Sequence, residues 1–231
     1  MHAMVFTAPP RCSHTVDASV AQTSLDERHG TARPPPPDFV TRTLPVVRAS
    51  GVFFRCANAS RPLVDWDARN ASRFSGPSLP FPVLYLSERK LTGFWECFGD
   101  ELNDHPEGEK ALYRKTHLEP RQWVRFNIKR SLRMIDATDV ATLRAMGADA
   151  ATFLAGYAII QKWADALMHH PAKLDGFYYS SRLDGGKRCL AVFGRPRLKS
   201  LPGRFGARAC GSLLKDVRFL LFLAELGVAV I

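Results

Sequence analysis

The segment GFYYSSRLDGGKRCLAVFG, residues 176–194, places hydroxyl groups and a cation at the end of a predicted strand. Ser180, Ser181 and Arg182 precede an LDGG turn, and an apolar run follows the turn. Hydroxyls and a guanidinium in a confined space favour the binding of a polar ligand. An exposed hairpin that binds nothing has the same pattern, so this segment alone leaves both interpretations open.

Four more polar residues stand beside or within predicted apolar elements. They are Arg55 after VFF, Arg73 in ASRFSG, Tyr85 in PVLYLS, and Glu96 in a helix that is otherwise apolar around it. Taken singly, an arginine is usually solvated, a strand tyrosine usually belongs to the core, and a helical glutamate is usually exposed. A function for them therefore requires a fold that brings them together.

The elements that would position these residues mix strands and helices without regular βαβ alternation, which predicts an α+β fold. Period-two and apolar runs predict strands at 44–54, 82–87, 122–129, 132–139, 176–181 and 188–194, with a last strand in GVAVI. Helical spacing predicts helices at 87–102, 140–147, 151–170 and 212–227, and a polar loop is expected at 103–120. Asp139 is the predicted N-cap of the second helix and Gly147 its predicted end.

Composition predicts a disordered Pro-rich tail at residues 1–45 and a folded domain at residues 46–231. The chain is 46% hydrophobic, enough for a sizeable core. No signal peptide is expected, and the apolar run FLLFLAELGVAVI is too short to span a membrane. The five cysteines are widely spaced without a CxxC motif, so neither a disulfide framework nor a metal site is expected and a cytoplasmic location fits.

The net charge of +10 favours an acidic partner, such as nucleic acid, an anionic surface or a small molecule that carries phosphate. The phosphate-binding loops GxGxxG and GxxxxGK[ST] do not occur in the sequence. Neither of the standard nucleotide folds is therefore expected.

The order of the polar segments resembles the RES-domain family, which comprises toxins of bacterial toxin–antitoxin pairs and is named for Arg, Glu and Ser. The similar segments are FFR at 53–55, SRFSG at 72–76, PVLYLSERKLTGFWE at 82–96 and DGFYYSSR at 175–182, with RMIDATD at 133–139 and YAIIQKWADALMHHP at 157–171 in the middle. The resemblance of DGFYYSSR to the family's fourth segment places the family serine at Ser181 rather than Ser180. Ser72 stands where the family usually has glycine, and Asp100, one helical turn after Glu96, is an alternative carboxylate.

The resemblance implies an ADP-ribosyltransferase-like fold, with a split mixed β-sheet core flanked by helices. It implies NAD as the substrate, cleaved at the nicotinamide–ribose bond by water or phosphate or with transfer of ADP-ribose to a protein target, and no metal. It also implies an antitoxin partner of the helix-turn-helix type that fills the cleft, with nucleic acid contacted only through that partner.

The resemblance also implies roles for individual residues. Glu96 would stabilise the positive charge that develops on the ribose when the bond breaks. The implied catalytic residues are Glu96, Ser181, Arg73 and Tyr85, and the implied NAD-binding residues are Arg55, Arg73, Tyr85, Ser181 and Arg182.

Two other functions stay open. The net charge suits a basic nucleic-acid-binding module, although the aromatic residues do not interleave with Lys and Arg in a recognised stacking motif. A catalytically inactive relative that acts only through a partner protein is the other alternative.

Overall fold

The computed structural model describes residues 32–66, 72–76, 81–103 and 112–231. Its strands are β1 (Val46–Asn58), β2 (Val83–Ser87), β3 (Leu112–Tyr113), β4 (Arg121–Asp136), β5 (Gly176–Ser180), β6 (Arg188–Phe193), β7 (Arg208–Ser212) and β8 (Ala229–Val230). Its α-helices are α1 (Lys90–Asn103), α2 (Lys115–Leu118), α3 (Val140–Met146), α4 (Tyr157–His169), α5 (Pro196–Lys199) and α6 (Val217–Glu225). The protein is thus a mixed α and β structure with a β-sheet core.

Six strands form the main sheet in the order β1-β2-β6-β5-β4-β7, and β1 also pairs with β4. This additional pairing closes β1, β2, β6, β5 and β4 into a ring. The contact between β1 and β2 is a single antiparallel pair, Phe54 with Ser87, so the ring is barely closed at that point. The opposite side is continuous, because β4 pairs with β1 over most of its length and runs parallel to β5 from Met134 to Asp136.

The observed bounds of β4 and β1 each correct a sequence prediction. The predicted strands at 122–129 and 132–139 are one continuous strand of 16 residues, and β1 extends to Asn58 rather than ending near residue 54. The pairing of β1 with β4 shifts register between Ala49 and Gly51. The polar residues 129–131 lie opposite this bulge. They therefore interrupt the regular pairing of β4 with β1 but do not divide β4 into two strands.

Three buried clusters fill the spaces around the ring. One lies between the sheet and α3 and α4, the second consists mainly of residues from the ring strands, and the third lies between β1, α1 and α6. Along β5, Phe177 and Tyr179 belong to the first cluster and Tyr178 to the second. Successive side chains of this strand therefore face opposite sides of the sheet.

The structure contains a helix in each of the four predicted segments, although the bounds differ from the predicted ones. Asp139 caps α3 by accepting a hydrogen bond from the Thr142 amide, and Gly147 ends that helix in the left-handed conformation. The predicted helix 151–170 is divided by Gly156, whose extended backbone separates a 3-10 turn at Thr152–Leu154 from α4. Likewise, the predicted helix 212–227 contains the end of β7 and a 3-10 turn before Asp216 caps α6.

The polar segment 103–120 is more ordered than predicted where the structure describes it. Strand β3 and helix α2 occupy residues 112–118, and β3 pairs in parallel with β8, which confirms the predicted last strand. The rest of that predicted loop, residues 104–111, lies outside the described residues.

The folded unit begins before residue 46. The ring of Phe39 packs edge-on against Trp163 with centroids 5.1 Å apart, and the Trp163 indole donates to the Arg33 carbonyl at 2.8 Å. Residues 32–45 thus contribute to the core, unlike the disordered tail that was predicted for residues 1–45. Residues 1–31 lie outside the described residues. None of the described helices has the length and apolar character to cross a membrane.

The hairpin of β5 and β6 leaves no space for a side chain at Gly176. A Cβ atom there would lie 2.0 Å from the Ala191 carbonyl oxygen on the neighbouring strand. We expect Gly176→Ala to lower the free energy of unfolding by about 3 kcal/mol, because a backbone atom cannot move aside as a side chain can. Urea denaturation measures this loss. Gly203→Ala is the control, since its Cβ meets nothing within 4 Å, and equal stability of the two variants would contradict the argument.

Candidate functional site

One face of α1 contacts the end of the β5–β6 hairpin. Thr92, Glu96 and Asp100 are spaced by four residues, which places them in line along the helix. Thr92 Oγ1 donates to Asp184 Oδ2 at 2.6 Å, and Arg182 donates to both oxygens of Asp100 at 2.8 and 2.9 Å. These contacts on either side fix the position of Glu96 relative to the hairpin.

Both carboxylate oxygens of Glu96 accept a hydrogen bond from β5 or the turn that follows it. Tyr179 Oη donates to Oε2 and Ser181 Oγ donates to Oε1, each at 2.6 Å. Ser181 Oγ also accepts from the amides of Leu183 and Asp184 at 3.2 and 3.0 Å. Since every carboxylate oxygen has two lone pairs, Glu96 is held in place and can still accept further hydrogen bonds.

Burial keeps the two phenols near the site in their protonated form. Burial, with a further contribution from Glu96, raises the pKa of Tyr179 well above its usual value. Burial also raises the pKa of Tyr85 to about 12. Both tyrosines therefore act as hydrogen-bond donors at neutral pH.

Tyr85 on β2 connects the segment 72–76 to the sheet through hydrogen bonds. Its hydroxyl accepts from the Phe74 amide and donates to Ser72 Oγ, both at 3.0 Å. Within the same segment Arg73 donates to the Phe153 carbonyl, and its guanidinium lies 5.0 Å from the centre of the Phe74 ring. Burial and then the charge of Arg182 lower the pKa of Arg73, while the nearby Tyr179, Glu96 and Tyr85 act in the opposite direction.

A cavity of about 310 Å³ lies between β1, β2 and α1, beside the single residue pair that joins the two strands. Helix α1 approaches closely here, since a Cβ on Gly93 would lie 3.0 Å from Ser87 Oγ. Three of the residues predicted from the sequence line this cavity: Arg55, Tyr85 and Glu96. Its wall also contains Arg61, Cys97 and Arg121.

Two arginines give part of the cavity wall a positive charge. Arg55 and Arg121 both line the cavity, and their Nη1 and Nε atoms, respectively, are buried without a hydrogen-bond partner among the described residues. The Arg121 guanidinium lies 5.2 Å from the centre of the Phe98 ring, which holds it beside the cavity. Buried polar groups are nearly always satisfied, so two such nitrogens on residues that line one cavity favour an anion there.

The other predicted residues lie around the cavity without lining it. Ser181 is only 2% exposed and sits behind Glu96, so in this structure it orients the carboxylate. Arg73 interacts electrostatically with Glu96 from the adjacent segment 72–76. Arg182 pairs with Asp100 at the surface, where the Asp100 side chain is 64% exposed. The ligand contacts of Ser181, Arg73 and Arg182 stay predictions.

The sequence did not predict a place in the site for Tyr179, Arg121 or Cys97. The signal for Tyr179 was present, because it lies two residues before Ser181 on a strand and so shares its face. Arg121 carried no such signal. It enters the site only because β4 pairs with β1, with Arg121 opposite Asn58.

Comparison with known proteins identifies the family. The search of curated proteins found no match. The family model described as RES domain matches residues 45–204, a range that contains both the cavity residues on β1, β2 and α1 and the hairpin that holds Glu96. The match spans more than half of the 231 residues, and the chain therefore belongs to the RES domain family.

Proposed function

We propose that this RES-domain protein cleaves NAD at the nicotinamide–ribose bond and is the toxin of a toxin–antitoxin pair. The observation that carries the reaction is the Glu96 carboxylate, oriented by two donors on the wall of a cavity that Arg55 and Arg121 also line. Membership of the family supports the class of activity. The mixed sheet flanked by helices is compatible with an ADP-ribosyltransferase-like fold.

The reaction needs an anion next to the anomeric carbon. As the bond to nicotinamide breaks, its electron pair leaves with the nicotinamide ring and the ribose becomes positively charged. The Glu96 carboxylate stabilises this charge, and its free lone pairs can accept from a ribose hydroxyl. Water, phosphate or a protein nucleophile then bonds to the anomeric carbon, and a nucleophile that carries a proton, such as water, releases it to the solvent.

The cationic part of the cavity wall suits the pyrophosphate of NAD. Arg55 and Arg121 line the cavity, each with a buried guanidinium nitrogen that has no partner among the described residues, and guanidinium groups bind phosphate oxygens strongly. Tyr85 lines the same cavity as Glu96, where its ring can contact the nicotinamide or the ribose. A partner antitoxin of the helix-turn-helix type, which would cover the cavity and carry any contact with nucleic acid, belongs to the same proposal.

The identity of the product tests the function directly. Purified protein incubated with NAD is expected to release nicotinamide, followed by liquid chromatography. Parallel reactions with and without inorganic phosphate distinguish ADP-ribose from its phosphorylated form, and a protein lysate with labelled NAD detects transfer to a target. Intact NAD under all three conditions would contradict the proposal.

Removal of the Glu96 charge separates catalysis from folding. We expect Glu96→Gln to lower the rate of nicotinamide release by about 100-fold or more, because the amide cannot stabilise the developing positive charge. The matched control is Glu88→Gln just before the same helix, which loses only a surface ion pair with Arg188 and is expected to retain activity within about twofold. Equal losses in both variants would show that Glu96 is not the specific carboxylate.

Tyr179 and Ser181 are positioning residues for Glu96, which gives them a distinct kinetic signature. Tyr179→Phe keeps the buried ring and removes only the hydroxyl, and Ser181→Ala removes the other donor. Each change is expected to lower kcat by about 10- to 100-fold with little change in KM, because a misplaced carboxylate weakens the transition state more than substrate binding. An increase in KM at constant kcat would contradict a positioning role.

A substitution of Arg121 tests the cationic part of the cavity wall. We expect Arg121→Gln to weaken binding of ADP-ribose by about tenfold, the value of one charge-assisted hydrogen bond. Lys129→Gln is the control, because Lys129 is an exposed cation on the same strand. Isothermal titration calorimetry measures both dissociation constants, and an equal effect of the two changes would indicate only a loss of net charge.

A further inference from the structure

Two cysteines face each other across the contact between β1 and α1. Cys56 is buried on β1 and belongs to the same cluster as Phe94 and Phe98 of α1, whereas Cys97 on α1 is exposed. Both residues line the cavity that contains Glu96. The Cys97 thiol donates to the Cys56 carbonyl oxygen at 3.4 Å, which places its sulfur beside Cys56.

The surroundings make the two thiols unequal. Interaction with the Cys56 side chain, and then the charges of Arg55 and Arg121, lower the pKa of Cys97, whereas desolvation and the charge of Glu96 act in the opposite direction. Interaction with Cys97, together with burial, raises the pKa of Cys56 far above its usual value. Cys97 therefore loses its proton more readily than Cys56, and as the exposed member of the pair it is the thiol that can attack an oxidant, with Cys56 beside it to resolve the product.

We propose that Cys97 and Cys56 form an oxidation site in the cavity, at which hydrogen peroxide converts the two thiols into a disulfide. Cys97 loses its proton and its sulfur attacks peroxide, which breaks the O–O bond and forms a sulfenic acid; the hydroxide that leaves takes up that proton and becomes water. The Cys56 sulfur then displaces the oxygen of the sulfenic acid, which leaves as a second water with the proton of the Cys56 thiol, and the S–S bond forms. Two thiols are oxidised and one peroxide is reduced to two molecules of water.

This disulfide would restrict the cavity beside the reactive carboxylate. It would link α1 to β1 at the residue next to Glu96, and it would draw the Cys97 sulfur toward the strand. The expected loss of NAD turnover rests on the proposed function, whereas the formation of the disulfide does not. A reducing agent would restore the two thiols.

The other described cysteines provide internal comparisons. Cys189 is fully buried, and burial raises the pKa of its thiol. Cys210 is half-exposed on β7, and its thiol donates to the Arg208 carbonyl at 3.7 Å. Cys210 is thus accessible to peroxide without the neighbouring thiol that Cys97 has.

The experiment uses the full chain with Cys12→Ser, treated with hydrogen peroxide and mapped by mass spectrometry under non-reducing conditions. We expect a peptide pair that links Cys56 to Cys97, formed at least about tenfold faster than any oxidation of Cys210. NAD turnover is expected to fall about tenfold or more in parallel and to recover with dithiothreitol. Cys210→Ser should retain this sensitivity, and Cys97→Ser should lose it relative to its own untreated activity.

Two results would overturn the proposal: both thiols still free after treatment, or Cys97 oxidised to a sulfinic acid without a link to Cys56. Rapid oxidation of Cys210 at the same rate would remove the selectivity on which it depends. Peptide mapping in the otherwise unaltered chain avoids any dependence on how well a Cys56 variant folds. A linked pair in protein that never consumes NAD would contradict the proposed function and leave the oxidation site standing.

Discussion

The Glu96 carboxylate, held between the hydroxyls of Tyr179 and Ser181, is the interaction on which the arrangement of the site depends. A partly buried carboxylate is stable only when it is hydrogen-bonded, and each hydrogen bond to a charged group contributes about 1.5–3 kcal/mol. Both donors come from one short hairpin, and the acceptor comes from a helix on another side of the ring. The hairpin and the helix must therefore keep a fixed relation, which the Thr92–Asp184 contact and the buried face of α1 provide.

The cavity wall combines a carboxylate with two cations. Glu96, Arg55 and Arg121 all line it, and each arginine has a buried guanidinium nitrogen without a partner among the described residues. The proposed substrate, NAD, carries both complementary charges, on its nicotinamide ring and on its pyrophosphate. Such a wall favours a ligand with charges of both signs over one with charges of a single sign.

The sequence was sufficient for the local parts of this design. The helix cap at Asp139, the hairpin around LDGG, and the isolated Glu96 in an apolar helix could all be predicted, because neighbouring residues determine them. Arg121 and the continuity of β4 could not, since both follow from pairing with a strand more than sixty residues earlier in the chain. The role of Ser181 shows a subtler limit. The resemblance identified the residue, but its burial behind the carboxylate is a property of packing in three dimensions.

The separation of Glu96 from Ser181 along the chain, 85 residues, also has a consequence for the cell that makes this protein. Synthesis proceeds from the N-terminus, so helix α1 leaves the ribosome long before the hairpin that must hold its carboxylate. Until that hairpin emerges, the nascent chain contains Glu96 without the two hydroxyls that orient its carboxylate. The candidate site is therefore complete only after most of the chain has been translated.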